Sequence, residues 1–421
     1  PYTFKGGAWP GVGGTCGAQP FVLTPAASCT FVMNFTSNPG TNTTYPDTIV
    51  IDFDDLGGTS QNQTENRNIT GIFQKGWFDA TDSSLSARFA SESVWTGKQM
   101  IVWGGKTGSA SSTRQNDGAL YDPITDSWTP MTSTDAPTAR SQHRVSWGGG
   151  KMFVFGGLGT NGTFSAAGQG GLYNPMTDDW DLVDTTDGDE PSGRMGHSLI
   201  YDHTNQQFII FGGTTNTSVL AASNTYFLDP DGDANGDWLK IGTAGAPTQR
   251  YYHGSLWTGS AMLVWGGCTN RYSNTNGCDA NAEVNDGMVF MPSGVGAGSW
   301  NGLDDGADPN KPNARYFPKM SWAPELGSQG KIILWGGSTD STNTATLLEE
   351  TTGAVYDLAA AADAKWSPIN QTGSPNAGGR NISLNFWDGT YFYIWGGLQS
   401  EAAGVADLYR YNPGGNTWST V

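Results

Sequence analysis

Short apolar runs that close on a glycine pair punctuate most of the chain. They are MIVWGG ending at Gly105, MFVFGG at Gly157, FIIFGG at Gly213, MLVWGG at Gly267, IILWGG at Gly337 and YIWGG at Gly397. Each is too short for a helix, and no stretch sustains a helical period, so each run predicts a buried strand. Other signals keep step with the runs. An arginine stands upstream of each: Arg88, Arg140, Arg194, Arg250, Arg315 and Arg380. Downstream come the aromatic segments LYDP, LYNP, FLDP, VFMP, VYDL and RYNP, and then a tryptophan: Trp128, Trp180, Trp238, Trp300, Trp366 and Trp418. Successive arginines lie 52, 54, 56, 65 and 65 residues apart. Each period therefore predicts four strands: the segment after the arginine, the Gly-Gly run, the aromatic strand and the tryptophan strand.

One four-stranded sheet cannot bury both of its faces, so repeated sheets must stack on one another. The pattern resembles kelch repeats, whose period is about 50 residues, and the resemblance covers residues 80 to 421. It implies a kelch-type β-propeller, with the glycine pair allowing close packing and the aromatic rings filling the space between blades. Six copies predict six blades. Trp77, in GWFDATDSSLSAR, looks like one more tryptophan strand with its linker, for which no seventh Gly-Gly run exists.

Residues 1–72 follow a different pattern. GGAWPGVGGTCG and the Cys-Thr-hydrophobic stretch after it resemble the bacterial immunoglobulin-like modules of long surface proteins. Ile49, Ile51 and Phe53 alternate with Val50 and Asp52 as in a half-buried strand. Residues 57–71 read as a polar linker. The expected fold is thus all-β: a small partial immunoglobulin-like β-sandwich over 1–72, then a six-bladed propeller over 73–421. The stalk is expected to enter on the side of the loops joining strands three and four.

Composition narrows the function. The 421 residues include 60 glycines and 17 tryptophans, which suits many short strands joined by tight turns. A net charge of −18 argues against nucleic acid as a partner, and no run is apolar enough to span a membrane. The cysteines form two local pairs, Cys16/Cys29 and Cys268/Cys278. They predict two loop-stapling disulfides and an oxidising compartment, hence an exported protein at a bacterial cell surface. Sequons at Asn34, Asn42, Asn62, Asn68, Asn161, Asn216, Asn370 and Asn381 read as products of an Asn/Thr-rich surface.

Features present in every repeat serve the fold, so the arginines and His143, His197 and His253 are expected to be structural. Departures from the repeat point to binding. The long loops between strands two and three are the expected binding face, above all 268–285, where Arg271 and Tyr272 are candidate contacts. Tyr251, Tyr252, Tyr316, Phe317 and Lys319 follow their arginines and are candidate ligand contacts at the mouth of the axial channel. The segment DPDGDANGDW offers Asp229, Asp231, Asp233, Asn235 and Asp237 as a structural Ca²⁺ loop, although its position 12 is Gly242 rather than a glutamate.

Some kelch-type propellers are enzymes. The copper radical oxidases of the galactose oxidase type need a Cys–Tyr crosslink and Tyr/His ligands. That chemistry does not suit paired cysteines and four histidines, three of them at a repeated position. A sialic acid mutarotase would need an axial acid/base pair, for which Glu92, Glu349 and Glu350 are candidates. The leading expectation is non-enzymatic: an extracellular adhesin or recognition head for a cell-surface glycan or protein. The alternatives are a carbohydrate-active propeller enzyme and an architectural subunit that self-assembles in a fibre or surface layer.

Overall fold

The structure is a computed structural model. It describes residues 2–4, 33–35, 43–53, 63–73, 81–164, 169–183, 190–215, 225–228, 238–240, 244–270, 278, 282–303, 308–339, 348–349, 352–375, 383–396, 398–400, 403–404 and 407–421. The chain divides into two units, Pro1–Asp79 and Ala80–Val421. In the first, Tyr2–Phe4 pairs with Met33–Phe35, and Thr43–Phe53 pairs along its whole length with Gln63–Phe73. Both pairings are antiparallel, and the second sets Thr48 opposite Asn68. The described residues of this unit are these two-stranded pairs, and they do not show the immunoglobulin-like sandwich expected there. One correction follows. The expected linker is in part a strand, because the eleven-residue strand Thr43–Phe53 offers a row of backbone donors and acceptors that Gln63–Phe73 satisfies.

The second unit is a β-propeller arrangement of four-stranded antiparallel sheets in simple meander order. The first sheet comprises Glu92–Trp95, Met100–Trp103, Gly118–Asp122 and Ser127–Pro130. The second comprises Arg144–Gly148, Lys151–Phe155, Gly170–Asn174 and Asp179–Leu182, and the third Ser198–Asp202, Gln207–Phe211, Thr225–Leu228 and Trp238–Lys240. The fourth has Gly254–Trp257, Met262–Trp265, Gly287–Gly294 and Ala297–Gly302. The fifth has Lys319–Ala323, Lys331–Trp335, Gly353–Asp357 and Trp366–Pro368, and the sixth Leu384–Trp387, Phe392–Trp395, Leu408–Asn412 and Thr417–Thr420. First strands of successive sheets pack side by side, so they converge on a common axis.

The glycine pair and the arginine join one sheet to the next. Both glycines of a pair take positive φ, as at Gly156 (+72°) and Gly157 (+91°), a conformation that costs other residues about 1–2 kcal/mol. Arg140, Arg194, Arg250 and Arg315 are fully buried. Each donates Nη1–H to the first glycine's carbonyl in its own sheet, at 2.8–3.0 Å to Gly156, Gly212, Gly266 and Gly336, and Arg88 does the same to Gly104. Nε–H of each closes on the carbonyl two residues earlier. The arginine's own carbonyl then accepts the second glycine's N–H from the preceding sheet: Gly105 to Arg140, Gly157 to Arg194, Gly213 to Arg250 and Gly267 to Arg315. The arginines are structural, as their repetition predicts; Arg380 lies outside the described residues.

The histidines fill the next place. His143, His197 and His253 sit three residues after their arginines, with Pro318 at the equivalent position of the fifth sheet. Each ring crowds the space beside the preceding sheet's first glycine, where a Cβ on Gly104, Gly156 or Gly212 would lie 2.6–2.8 Å from the histidine Cε1. Each meets the adjacent aromatic edge-on: Trp103, Phe155 and Phe211 respectively. Burial first, and the neighbouring arginines second, hold His143 and His253 down to about 3 and His197 well below its ordinary value, so all three are neutral in the fold.

Each sheet shares an apolar core with the next. Ile101 and Trp103 pack on Met152, Val154 and Trp180. Phe153 and Phe155 pack on Phe208, Ile210 and Trp238. Ile209 and Phe211 meet Met262, Val264 and Trp300. Leu263 and Trp265 meet Ile332, Leu334 and Trp366, and Ile333 and Trp335 meet Phe392, Ile394 and Trp418. The core thus alternates along each second strand, one residue facing backward and the next forward. Among the described residues five such cores join the sheets, and none joins the sixth sheet to the first. The six Gly-Gly runs thus correspond to six four-stranded sheets, of which five pairs of neighbours share a core among the described residues.

Two outcomes are expected. Gly156→Ala puts a Cβ 2.5 Å from the Arg194 carbonyl at positive φ, and should cost about 2–4 kcal/mol in chemical unfolding. Gly150→Ala, equally positive in φ (+76°) but facing open space, should cost only about 1–2 kcal/mol. The second outcome concerns acid. The buried histidines stay neutral to about pH 3, whereas unfolded histidine takes its proton near 6.5. Stability should therefore be full above pH 6.5 and fall as pH drops toward 3, by up to about 1.4 kcal/mol per histidine per unit. His253→Gln should flatten the pH dependence of the melting temperature by one histidine's share.

Candidate functional site

The axial mouth is built from the two residues that bracket each repeated histidine. Two positions after the arginine the chain turns through a left-handed residue: Ala90 (φ 54°), Gln142 (58°), Gly196 (67°), Tyr252 (52°) and Phe317 (55°). This kink lifts the chain out of the arginine staple before it descends into the first strand. Neighbouring repeats join there through the backbone: Gln142 N–H donates to the Ala90 carbonyl, Tyr252 N–H to Gly196 and Phe317 N–H to Tyr252, at 2.7–3.2 Å. The rim thus carries two backbone-linked groups, Ala90 with Gln142, and Gly196 with Tyr252 and Phe317. Side chains differ from repeat to repeat, because the backbone alone makes the rim.

On one side of this rim the rings form a ledge. Tyr252 lies over Gly196, where a Cβ would be 2.8 Å from the ring, and its ring centroid is 4.0 Å from that of Phe317. Tyr251 and Tyr316 were candidate contacts, but they are fully buried behind the ledge with the Cys268–Cys278 disulfide and Ala282. Each pairs its backbone with the residue after its glycine pair, Tyr251 with Cys268 and Tyr316 with Ser338. They therefore offer no ring face to a ligand; they anchor the ledge and the stapled loop. Tyr252 is itself nearly buried, 9% exposed, so Phe317 is the ring of the ledge that stays partly exposed and open to a ligand. The bond between Cys268 and Cys278 forms as expected.

Four residues after each arginine the first strand opens onto the axis, at Glu92, Arg144, Ser198, Gly254, Lys319 and Leu384. Arg144 binds Glu92 through Nη1 at 2.7 Å and donates Nε–H to the His197 carbonyl at 3.2 Å. Lys319 stands at the equivalent position of the fifth sheet and feels both charges. Burial, then the Arg144 cation, lower its ammonium to about 8, and the Glu92 carboxylate works against them. Among the described residues this column thus holds two cations against one carboxylate, inside a chain of net charge −18. Such a site suits an incoming anion, since the second cation has no carboxylate of its own in this column. No motif in the sequence singles out Arg144. The signal was there: within an otherwise repetitive first strand, this column is the one that changes from acid to base to glycine.

The loop face gains a second link from Arg114, a buried residue in the first sheet's 2–3 loop. It donates to Ser141 Oγ and the Gly159 carbonyl, both at 2.8 Å and both in the second repeat. Adjacent loops are therefore bound into one surface. Arg271, Tyr272, the calcium candidates Asp229, Asp231, Asp233, Asn235 and Asp237, and Cys16 and Cys29 all lie outside the described residues. Of the candidate acids, Glu350 does too, and Glu349 is placed only as part of the strand Leu348–Glu349.

A propeller whose sheets are tied by an arginine and a glycine pair matches a known family. Residues 56–291, more than half of the chain, match the model of the Attractin/LZTR1 beta-propeller. The chain belongs to that family. The match starts upstream of the first sheet and includes Trp77. Among curated proteins, members similar to this Attractin/LZTR1-type propeller include the Host cell factor of Drosophila melanogaster, 27% identical over 207 residues (44% of this chain, 13% of that protein). Tip elongation aberrant protein 1 of Schizosaccharomyces pombe is 30% identical over 140 residues (31% and 11%). Dynein regulatory complex subunit 7 of Chlamydomonas reinhardtii is 29% identical over 137 residues (30% and 11%). The matched region spans 11–13% of the length of these relatives. All three are eukaryotic, so the bacterial reading of residues 1–72 gains no support from them.

Lys319 supplies the test of the channel's electrostatics. With its amine near 8, competitive acetylation followed by mass spectrometry should show it reacting at pH 8 ahead of lysines of ordinary value. Glu92→Gln removes the charge that raises it, and should move its labelling midpoint to lower pH.

Proposed function

We propose that this protein is a non-catalytic recognition module that binds a partner protein at the axial mouth by capturing one of its acidic groups. The observation that carries the reading is the pair of cations, Arg144 and Lys319, in one column of first-strand positions whose carboxylate, Glu92, is engaged by Arg144, with Lys319 two residues after the partly exposed Phe317. An acidic side chain would take the place beside Lys319, while apolar neighbours rest on the ledge; charge-assisted bonds contribute about 1.5–3 kcal/mol each. Glu92 is engaged by Arg144, which suits an ion-pair partner better than a free general base. The family and its relatives support a binding role of this kind. The disulfide between Cys268 and Cys278 favours work in an oxidising compartment, outside or at the surface of a cell.

Calorimetric titration with a glutamate-rich peptide, an uncharged analogue of equal length and a carboxylate-bearing oligosaccharide separates the outcomes. The acidic peptide should bind, weaken as salt rises, and lose at least about tenfold in affinity with Arg144→Gln or Lys319→Gln, matching a loss of about 1.4 kcal/mol. Equal binding of the uncharged analogue sinks the proposal. Binding of the oligosaccharide alone reassigns the site to a glycan.

A further inference from the structure

We propose that Asn161 and Asn370 are N-glycan acceptors, so that the propeller carries one sugar chain on the second sheet's 2–3 loop and another on the connection between the fifth and sixth sheets. Asn-x-Ser/Thr triplets recur along the sequence as an Asn/Thr-rich surface would produce them. Their places in the fold set two of them apart. Asn42, Asn62, Asn216 and Asn381 lie outside the described residues, and Asn34 and Asn68 fall within strands of the first unit. In the triplets Asn161–Gly162–Thr163 and Asn370–Gln371–Thr372, both the asparagine and the threonine are exposed.

Asn161 stands at the tip of a small hairpin. Leu158 bridges Phe164, Gly159 N–H donates to the Thr163 carbonyl, and Gly162 N–H donates to the Gly159 carbonyl, both bonds being 2.8 Å long. Gly162 takes a φ of +77° to make the turn, and Arg114 fixes the hairpin's base through the Gly159 carbonyl. At the tip, Asn161 Oδ1 accepts both the backbone N–H and the hydroxyl of Thr163. The threonine thereby holds the amide oxygen. It leaves Nδ2, the atom that carries a glycan, with no bond to the fold among the described residues. Asn370 repeats the arrangement without a hairpin. Its backbone N–H donates to Asn416 Oδ1 at 2.8 Å, and its own Oδ1 accepts the Thr372 N–H at 3.0 Å. Its Nδ2 likewise makes no bond among the described residues. Asparagines that serve the fold do the opposite. Asn285, Asn385 and Asn416, none of them in such a triplet, donate Nδ2 to the carbonyls of Pro312, Met320 and Pro368.

A glycan is bulky and hydrated, so its acceptor must stand clear of the core, and the threonine two residues on completes the acceptor triplet. The co-reactant is an oligosaccharide activated by a pyrophosphate leaving group. An N–C bond forms between Nδ2 and the sugar's anomeric carbon as that carbon's bond to the pyrophosphate oxygen breaks. The pyrophosphate leaves with the electron pair, and one Nδ2 proton passes to solvent. The buried Cys268–Cys278 disulfide suits the oxidising compartment in which such transfer occurs. The inference rests on the proposed function only for that compartment, so failure of acidic-peptide binding leaves it standing.

The test is a peptide map of the full chain, taken from its native cells and from insect cells that secrete it behind an added leader. Enzymatic release of N-glycans in heavy-oxygen water should leave labelled aspartate at positions 161 and 370 in folded protein from both sources. Thr163→Ala should abolish the label at the first position and Thr372→Ala at the second, while Thr163→Ser and Thr372→Ser retain it. An unlabelled Asn161 or Asn370 in folded wild-type protein from either source overturns the inference. So does a label that survives the alanine substitutions, or one found only in aggregated chain. Where an alanine variant fails to fold, the wild-type map decides.

Discussion

Everything in the propeller hangs on a buried arginine closing onto a glycine carbonyl. A guanidinium taken out of water must have its donors satisfied, or its burial costs several kcal/mol. Here it finds carbonyls that the strand ladder leaves unused: one at the glycine pair, one two residues upstream. Those carbonyls are available only because the chain turns sharply after the second strand, and the turn is available only to glycine. The same arginine's backbone then receives the second glycine of the preceding sheet. One motif thus fixes the turn, fills the space near the axis and sets the step from sheet to sheet.

Once that step is set, the remaining positions fall into two kinds. Residues whose place is enforced by the neighbouring sheet, such as the aromatic before the glycine pair, recur as the same kind of side chain, and the place beside the first glycine holds His143, His197, His253 or the small Pro318 and Ser383. Residues on the rim and in the channel are held by backbone bonds, so their side chains are released from structural duty. That freedom allows Tyr252 and Phe317 to form a ledge, and Glu92, Arg144 and Lys319 to meet at the axis. The scaffold is rigid where it repeats and chemically variable where it faces solvent, a good division for a protein that recognises something.

The acidic surface and the cationic channel are complementary facts. A chain of net charge −18 repels anions at long range, so an acidic ligand must be drawn by the local field of Arg144 and Lys319 at close approach. Selectivity then comes from fit at the ledge rather than from steering. The neutral histidines add no charge of their own near this site above pH 6.5, because burial keeps the proton off them.

The sequence alone determined the repeat, the strand order within each sheet and the structural role of the arginines and histidines, because each depends on local spacing and on a residue type with no substitute. It could also have revealed the channel column, had the repeats been compared at Glu92, Arg144 and Lys319. The tertiary structure decided what spacing cannot carry. It showed that Tyr251 and Tyr316 are buried while Phe317 is not, since exposure depends on which neighbour covers a ring. It showed that Gln63–Phe73 is a strand, since pairing depends on a partner's unsatisfied backbone. And it showed that, among the described residues, six sheets share five apolar cores, because whether two faces meet depends on parts of the chain far apart in sequence, and no local pattern records that.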